Sequence, residues 1–137
     1  MPTLLVAAAI IEHDGKILLA RRRADAHYPL FWEFPGGKVE QGEDPKDCVV
    51  REIREELAID IAVEAIYDVV FYRYPERPVL VLAYHCRWLG GEIEDVEVSE
   101  HCWVYPADVV KFELLPADIP LAKRISEEFA NADSACL

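Results

Sequence analysis

The sequence predicts a single-domain α/β fold, and three features support this prediction. The chain has 137 residues, of which 53% are hydrophobic, which is enough for one domain with a sizeable core. Residues 4–11 form a continuous apolar run that is typical of a strand buried on both faces. Residues 45–57 carry apolar side chains at helical spacing instead, so strands and helices share the domain.

The first predicted strand leads into a hairpin. Residues 13–16, His-Asp-Gly-Lys, form a turn signal, and residues 17–20 return as the antiparallel partner. The basic triplet Arg21-Arg22-Arg23 follows directly. Such a triplet is usually a solvated edge, but this one ends a strand shortly before a glycine pair and can therefore point at a phosphate.

The glycine pair Gly36-Gly37 stands between an apolar run and the predicted helix. Two glycines allow a tight turn and a close approach of the backbone to a ligand. Asp44 and Pro45 then supply an N-cap residue and a proline at the first helical position. The predicted helix ends at Leu57, and its buried face comprises Val49, Val50, Ile53 and Leu57.

Three glutamates share the polar face of this helix. Glu52, Glu55 and Glu56 lie at i, i+3 and i+4, a spacing at which like charges cost about 0.2–0.5 kcal/mol per pair. Arg51 and Arg54 can offset this repulsion by pairing. A bound Mg²⁺ can do the same, because Mg²⁺ takes carboxylate oxygens and keeps substrate phosphates as further ligands. The neighbouring glycine pair favours the cation, since it supplies free backbone groups for a phosphate–metal site.

The segment from Gly37 to Ile59 resembles the signature box of the Nudix hydrolases. Gly37 is followed after five residues by Glu43 and after seven more by Arg-Glu-Ile-Arg-Glu-Glu-Leu-Ala-Ile. Ala58 replaces the glycine of the pattern, at a position where a left-handed backbone costs alanine about 1–2 kcal/mol. We expect the chain to tolerate this, because no chemical group is lost. The resemblance implies a Nudix α/β/α sandwich over residues 1–137, with a mixed β-sheet between the box helix and the C-terminal helix.

The resemblance also implies roles for the box residues. Glu56 is the expected principal ligand of Mg²⁺, for which Mn²⁺ is a possible substitute. The implied metal ligands are Gly37 (through its carbonyl), Glu52, Glu55, Glu56 and Glu97. The implied catalytic residues are Arg51, Glu52, Glu55 and Glu56. Among them Glu52 is the expected general base, with Arg51 orienting it, provided that the metal lowers the pKa of the attacking water.

The assignment of Glu97 depends on a loop. An acidic segment from Glu92 to Glu100 precedes a predicted strand at residues 102–105. In the MutT-type members of the family, a loop carboxylate six residues before a tryptophan completes the metal site. Counting back from Trp103 gives Glu97, with Glu100 as the alternative.

Two further segments resemble the MutT group and imply substrate contacts. Residues 21–37 match its run Arg-Arg-x-Ala-Asp-Ala-His leading to Glu-Phe-Pro-Gly-Gly, and residues 115–120 match its base-binding loop. Arg22 is thus expected on the phosphate or base side, and Lys38 on a phosphate. The implied substrate-binding residues are Arg22, Phe34, Gly36, Lys38 and Asp118.

Asp118 limits the choice of base if it contacts the substrate. An ionised carboxylate only accepts hydrogen bonds, so it can take guanine N1–H and N2–H, the N7–H of 8-oxoguanine, or the N4 amine of cytosine. 8-oxo-dGTP, dGTP and (5-substituted) dCTP or CTP therefore all stay open. The structural alternative is that Asp118 caps the last helix, and the two roles are compatible.

The remaining elements complete the predicted sandwich. Residues 61–74 and 79–89 predict a long antiparallel strand pair, and residues 106–110 a short helix. The last helix places Leu121, Ile125 and Phe129 at core spacing. We expect the tail at residues 131–137 to fray.

Charge and cysteine content restrict the partners. A net charge of −12 argues against a nucleic-acid polymer and suits a small-molecule nucleotide met through a divalent metal, although it also favours solubility. The cysteines are widely spaced, and neither a signal peptide nor an apolar run of about 18 residues is present. We therefore expect a reduced cytoplasmic protein with no membrane partner, as a monomer or homodimer.

The resemblance implies Mg²⁺-dependent hydrolysis of a modified nucleoside triphosphate to the monophosphate and pyrophosphate. The first expectation is a MutT-like 8-oxo-dGTP diphosphatase that cleanses the nucleotide pool and so limits DNA damage. The alternatives are a CTP or (5-methyl) dCTP pyrophosphohydrolase, a Nudix hydrolase of nucleoside diphosphate sugars or dinucleoside polyphosphates, and a non-catalytic nucleotide-binding module. The intact box argues against the last, because a pure binder would not need Glu52.

Overall fold

The computed structural model of the protein describes residues 2–135, and the side chains of residues 2–128. The strands of this part are β1 (Leu4–His13), β2 (Lys16–Arg21), β3 (Trp32–Glu33), β4 (Gly36–Lys38), β5 (Asp60–Arg73), β6 (Pro78–Gly90) and β7 (Glu100–Val104). The helices are α1 (Pro45–Leu57) and α2 (Ile119–Ala135), with 3₁₀ segments at Pro106–Lys111 and Pro116–Asp118. The predicted box helix is confirmed at both ends, and the predicted short helix is a 3₁₀ segment.

The strands form one mixed sheet in the order β3-β2-β1-β6-β5, with β4 pairing with β1 and β7 with β2. The strands β1 and β6 run parallel, from Leu4 opposite Val79 to Glu12 opposite Arg87. The other pairs are antiparallel, including the predicted β1–β2 hairpin and the long β5–β6 pair. The mixed sheet implied by the family resemblance is thus confirmed.

Strand β1 is buried on both faces, as its apolar run predicted. Ala7, Ala9 and Ile11 belong to a core cluster that contains the buried face of α1. Ala8 and Ile10 belong to a second cluster on the opposite face, with Leu121 and Ile125 of α2. The sheet therefore lies between the two helices, and the predicted α/β/α sandwich is confirmed.

The ends of α1 follow the expected capping chemistry. The Asp44 carboxylate accepts a hydrogen bond from the Lys46 N–H at 2.8 Å. At the other end Ala58 adopts the left-handed conformation with φ 60°, and its N–H donates to the Arg54 carbonyl at 3.1 Å. The chain does accept alanine at this glycine position, with the full conformational cost of a side chain there.

The glycine pair forms a strand rather than the predicted tight turn. Gly36 and Gly37 lie in β4, opposite Ala8 and Ala7 of β1. A Cβ at Gly36 would lie 2.0 Å from the Ala7 carbonyl oxygen, so a side chain here is incompatible with the packing of the backbone on β1. Neither β3 nor β4 was predicted, because two or three residues are too few to show a strand period.

Helix α2 continues through residues 131–135, beyond the point where fraying was expected. Residues 136 and 137 lie outside the described part, and fraying of the tail stays a prediction. Leu121 and Ile125 are buried as predicted, whereas the side chain of Phe129 lies outside the described side chains. In the part of the chain that the structure describes, no helix has the length and apolar character needed to cross a membrane.

Candidate active site

A cavity of about 700 Å³ brings together residues from both ends of the chain. This volume lies within the usual range of small-molecule sites. The predicted site residues that line it are Arg22, Phe34, Gly36, Gly37, Lys38, Glu52, Glu56 and Asp118. Glu55 and Glu97 are not among its lining residues. The glutamates of α1 and Asp118, 62 positions after Glu56, thus share one concave space.

Arg51 binds several carboxylates at once beside this cavity. Its guanidinium donates to both carboxylate oxygens of Glu43 at 2.8 and 3.0 Å, to Glu52 at 3.0 Å and to Glu55 at 3.2 Å. The hydrogen bonds from Arg51 are the main reason that the pKa of Glu43 falls to about 2. Of the two arginines expected to offset the repulsion, Arg51 does pair with Glu52 and Glu55, whereas Arg54 pairs with Asp60 at 2.7 Å.

Gly37 makes room for the carboxylate of Glu52. A Cβ on Gly37 would lie 2.4 Å from Cδ of Glu52, which no real side chain tolerates. The absent side chain lets this carboxylate pack against the backbone of β4. Next to it, the Lys38 carbonyl accepts a hydrogen bond from Arg51 at 3.4 Å, while the Lys38 side chain is exposed. Glu52 is thus held in place from two sides.

Glu56 forms no ion pair with the residues that the structure describes. Its Oε2 is buried and makes no hydrogen bond in the described part of the chain. Burial, followed by the charges of Glu33, Glu52 and Glu97, raises the pKa of Glu56 to about 10. A buried carboxyl group surrounded by other carboxylates is unstable as an anion unless a cation binds there.

The acidic loop before β7 packs on the C-terminal end of α1. The N–H groups of Val96 and Glu97 donate to the Glu56 carbonyl at 3.1 and 3.2 Å, and the Glu94 N–H donates to Leu57 at 3.0 Å. These bonds place the backbone of Glu97 at Glu56. Glu100 instead forms an ion pair with Arg21 at 3.3 Å. The two acids thus have different surroundings, and Glu97 as the loop ligand stays a prediction.

The donor set fits a hard divalent cation. Among the side chains described, no three acidic, histidine or cysteine groups converge closely enough to ligate an ion as they stand. The unpartnered oxygen of Glu56 and its raised pKa nevertheless identify an anionic site that lacks a positive charge. Carboxylate and backbone carbonyl oxygens, without thiolate or imidazole, are the ligands that suit Mg²⁺ or Mn²⁺.

Asp118 also lines the cavity and is only 5% exposed. Its Oδ2 accepts a hydrogen bond from the Phe34 N–H at 3.0 Å, so the described bond of this carboxylate goes to the cavity wall and not to the first turn of α2. Burial and the charge of Glu33 raise the pKa of Asp118 to about 8. The sequence argument treated this group as ionised, whereas the structure favours the neutral acid at pH 7.

Arg22 is engaged by the protein itself. It pairs with Glu33 at 3.1 Å and donates to the His27 carbonyl at 2.7 Å. Glu33 also lines the cavity, and burial raises its pKa against the opposing effect of Arg22. Sequence reasoning missed Glu33, although a lone acid between Trp32 and Phe34 was a usable signal, because buried charges in apolar runs need a partner.

Comparisons with known proteins agree with this geometry. A family profile described as NUDIX domain matches residues 1–127. The chain is 40% identical over 121 residues to the CTP pyrophosphohydrolase of Escherichia coli (strain K12), covering 88% of this chain and 90% of that protein. It is 31% identical over 126 residues to the 8-oxo-dGTP diphosphatase of the same organism, covering 91% and 98%.

A solved structure shows the same fold. The crystal structure of the MutT protein from Methanosarcina mazei Go1 has a TM-score of 0.84 and 25% identity, with 93% of this chain and 95% of that chain covered. The box motif, the sandwich fold and the profile match all indicate a Nudix domain, and the predicted MutT-like resemblance is confirmed. This chain belongs to the Nudix family of hydrolases.

Proposed function

We propose that this protein hydrolyses nucleoside triphosphates to the monophosphate and pyrophosphate with Mg²⁺. We further propose that it prefers cytidine triphosphates to other nucleoside triphosphates. The single observation that carries the proposal is the shared cavity, which joins the carboxylates of Glu52 and Glu56 to Asp118. A nucleotide is a ligand with a polyanionic end and a hydrogen-bonding end. In this proposal, the carboxylates of Glu52 and Glu56 would bind metal ions for the polyanionic end, and Asp118 would hydrogen-bond to the base.

The metal-binding part of the proposal concerns the end of the cavity at α1. Glu56 is the principal proposed ligand, with Glu52, Glu55, the Gly37 carbonyl and Glu97 as the others. Bound divalent ions would supply positive charge to the phosphate oxygens and a more acidic water. They would also remove the electrostatic cost of ionising Glu56. Lys38, exposed at the rim, would contact a phosphate.

Glu52 is the proposed base, since it faces the cavity while Arg51 holds one of its oxygens. The bond to Arg51 orients the carboxylate, and the absence of a side chain at Gly37 leaves room for it beside β4. Its task would be to accept a proton from the attacking water. The chain thus positions a base without help from the substrate.

The proposed base-binding part is Asp118. A neutral carboxyl group can donate through Oδ1 while Oδ2 accepts from Phe34, so it can serve the ring N3 of cytosine as well as its amine. The neutral form also fits the O6 and N7–H edge of 8-oxoguanine, so Asp118 alone does not separate these bases. The relative at 40% identity is named a CTP pyrophosphohydrolase and the one at 31% an 8-oxo-dGTP diphosphatase. We therefore rank cytidine nucleotides first and 8-oxo-dGTP second, with nucleotide-pool cleansing in the cytoplasm as the implied role.

A substrate panel tests the proposal. Pyrophosphate and monophosphate release would be measured with Mg²⁺ on CTP, dCTP, 5-methyl-dCTP, 8-oxo-dGTP and dGTP, beside ADP-ribose and diadenosine polyphosphates. We expect the highest kcat/KM for a cytidine triphosphate, and a higher value for 8-oxo-dGTP would reverse our ranking. Turnover of ADP-ribose or dinucleotides alone would refute the triphosphate assignment, and nucleotide binding without any turnover would leave a binding module.

A further inference from the structure

We propose that Tyr28 is the residue that stacks on the nucleobase, so that Tyr28 supplies affinity for any base while Asp118 hydrogen-bonds to the edge of the base. This inference rests on the proposed function, because it places the base at the Asp118 end of the cavity. Tyr28 itself was not singled out by the motif or by the family resemblance. It borders the cavity together with Tyr74, Phe34 and Asp118.

Aromatic contacts fix the position of the Tyr28 ring. Its centroid lies 5.4 Å from that of Tyr74 and 5.5 Å from that of Phe31, with interplanar angles of 62° and 80°. Tyr74 contacts Tyr72 in turn, at 4.6 Å. These are favourable edge-to-face distances, and they continue the wall of the cavity outward as an aromatic surface.

The aromatic wall is also tied to the residue that would read the base. The Tyr74 hydroxyl accepts a hydrogen bond from the Ala117 N–H at 3.0 Å. Ala117 directly precedes Asp118, and both line the cavity. The aromatic surface and the carboxyl group therefore have a defined relative position, as a site that stacks and reads one ring requires.

The backbone at Tyr28 is strained, which is a second and independent observation. Tyr28 and Leu30 have φ angles of 51° and 63°, in the left-handed region that non-glycine residues avoid. Arg22 donates to the His27 carbonyl at 2.7 Å, and Arg21 donates to the Leu30 carbonyl at 2.9 Å. Such strain persists only where the surroundings enforce it, and it concentrates at ligand sites. Here it presents a half-buried tyrosine to the cavity.

The Tyr28 hydroxyl makes no hydrogen bond within the described residues, whereas those of Tyr67 and Tyr74 do. The hydroxyl therefore has no polar task among the described residues, and the residue contributes to the cavity wall. Stacking on an aromatic side chain is tolerant of base identity, because every base has a π-face. An effect that is equal for all bases thus distinguishes Tyr28 from Asp118.

Binding of reaction products tests this without relying on turnover. Dissociation constants of CMP, dGMP and 8-oxo-dGMP would be measured by calorimetry, with ribose 5-phosphate as the base-free probe. We expect Tyr28→Ala to weaken the binding of all the nucleotides alike, by about 5- to 150-fold, since stacking is worth about 1–3 kcal/mol per base. Ribose 5-phosphate should bind as before. Tyr28→Phe should match the wild type, because it keeps the ring, and Tyr28→Leu should resemble Tyr28→Ala.

Tyr105→Ala is the matched control, since Tyr105 is 59% exposed and contacts Lys16 away from the cavity. Unchanged nucleotide affinity in Tyr28→Ala and Tyr28→Leu would overturn the proposal, and so would an equal loss for ribose 5-phosphate or a wild type that binds no nucleotide. A changed order of bases would also overturn it. If triphosphates are not hydrolysed but CMP binding still requires the Tyr28 ring, the proposed function fails and this inference stands.

Discussion

The acidic residues of the Nudix box have opposite electrostatic surroundings on the two sides of α1. On one side of α1, Arg51 holds Glu43, Glu52 and Glu55, and the pKa of Glu43 falls to about 2. On the cavity side, Glu56 has no cation, and its pKa rises to about 10. The acids of the motif thus fall into two groups. Those that pair with Arg51 are neutralised by the fold, whereas Glu56 would need a bound cation to be stable as an anion.

Asp118 belongs to the second class, although it lies on a different element. It too is buried and has no ion pair among the described residues, and its pKa is raised to about 8 although the charge of Arg22 acts in the opposite direction. Glu52 stands between the classes, because Arg51 binds one of its oxygens while the residue still lines the cavity. The unneutralised acids thus line the same cavity, where we propose that Glu56 binds a metal and Asp118 a base.

The largest expected effect follows from removing the unpaired acid of α1. Glu56→Gln should lower kcat by about 1,000-fold or more, because metal charge stabilisation is worth several kcal/mol and each 1.36 kcal/mol is tenfold. The same change should stabilise the metal-free protein. A folded-state pKa of about 10 exceeds the ordinary glutamate value, so wild-type stability falls as the pH rises between the two values.

Steady-state kinetics and thermal melting in EDTA at pH 5 and pH 9 would check this. The gain of Glu56→Gln in melting temperature should be larger at pH 9 than at pH 5. Glu127→Gln, on the exposed face of α2, is the control for loss of one negative charge. Near-normal turnover of Glu56→Gln with Mg²⁺ would refute the metal assignment and remove the basis of the comparison.

A smaller effect separates the two loop acids. Glu97→Gln should reduce kcat/KM by about 10- to 100-fold and raise the Mg²⁺ concentration needed for half-maximal rate, because it removes a ligand beside Glu56. Glu100→Gln breaks only the ion pair with Arg21, which is partly exposed and worth at most about 1 kcal/mol. Its Mg²⁺ requirement should be unchanged. Magnesium titrations of the two variants decide the matter, and the opposite pattern would assign the role to Glu100.

Asp118→Asn should change the pH dependence of the substrate order more than the overall rate. Below about pH 8 the wild-type group is neutral, and above it the group can only accept, so we expect the ratio of kcat/KM for CTP and 8-oxo-dGTP to change across this pH. Asparagine keeps a donor and an acceptor at every pH and should show a constant ratio. Kinetics between pH 6 and pH 9 test this. A ratio that is insensitive to both pH and substitution would leave Asp118 with the structural role of holding Phe34.

The smallest effect tests the backbone that holds the acidic loop at Glu56. Ala58→Gly should stabilise the protein by up to about 1 kcal/mol, because glycine adopts the left-handed conformation without strain, and should raise the melting temperature by about 3 °C. Catalysis should hardly change, since no side chain of the cavity is touched. Chemical denaturation and kinetics measure both quantities. A loss of stability would mean that Ala58 is not strained.

Local pattern was enough for the family, the two helices and the long strands. The helix at residues 45–57 was predictable from its N-cap and from the spacing of its apolar residues. The position of the box acids on one side of this helix was also predictable, because helical periodicity is a local property. The short strands β3 and β4 escaped prediction, because their residues become strands only by pairing with β2 and β1. Glu33 escaped for a related reason, since its importance comes from burial beside Arg22.

The sequence shows which residues of the site are acids, but it does not show whether each of them is ionised. A pKa depends on burial and on neighbours that are near in space, such as Phe34 and Asp118, which are 84 positions apart. Only the folded sandwich brings Asp118 and Tyr28 to the same cavity as the box and leaves Glu56 without an arginine partner. The amino-acid order supplies the reactive groups, and long-range packing decides which of them remain without a counter-charge.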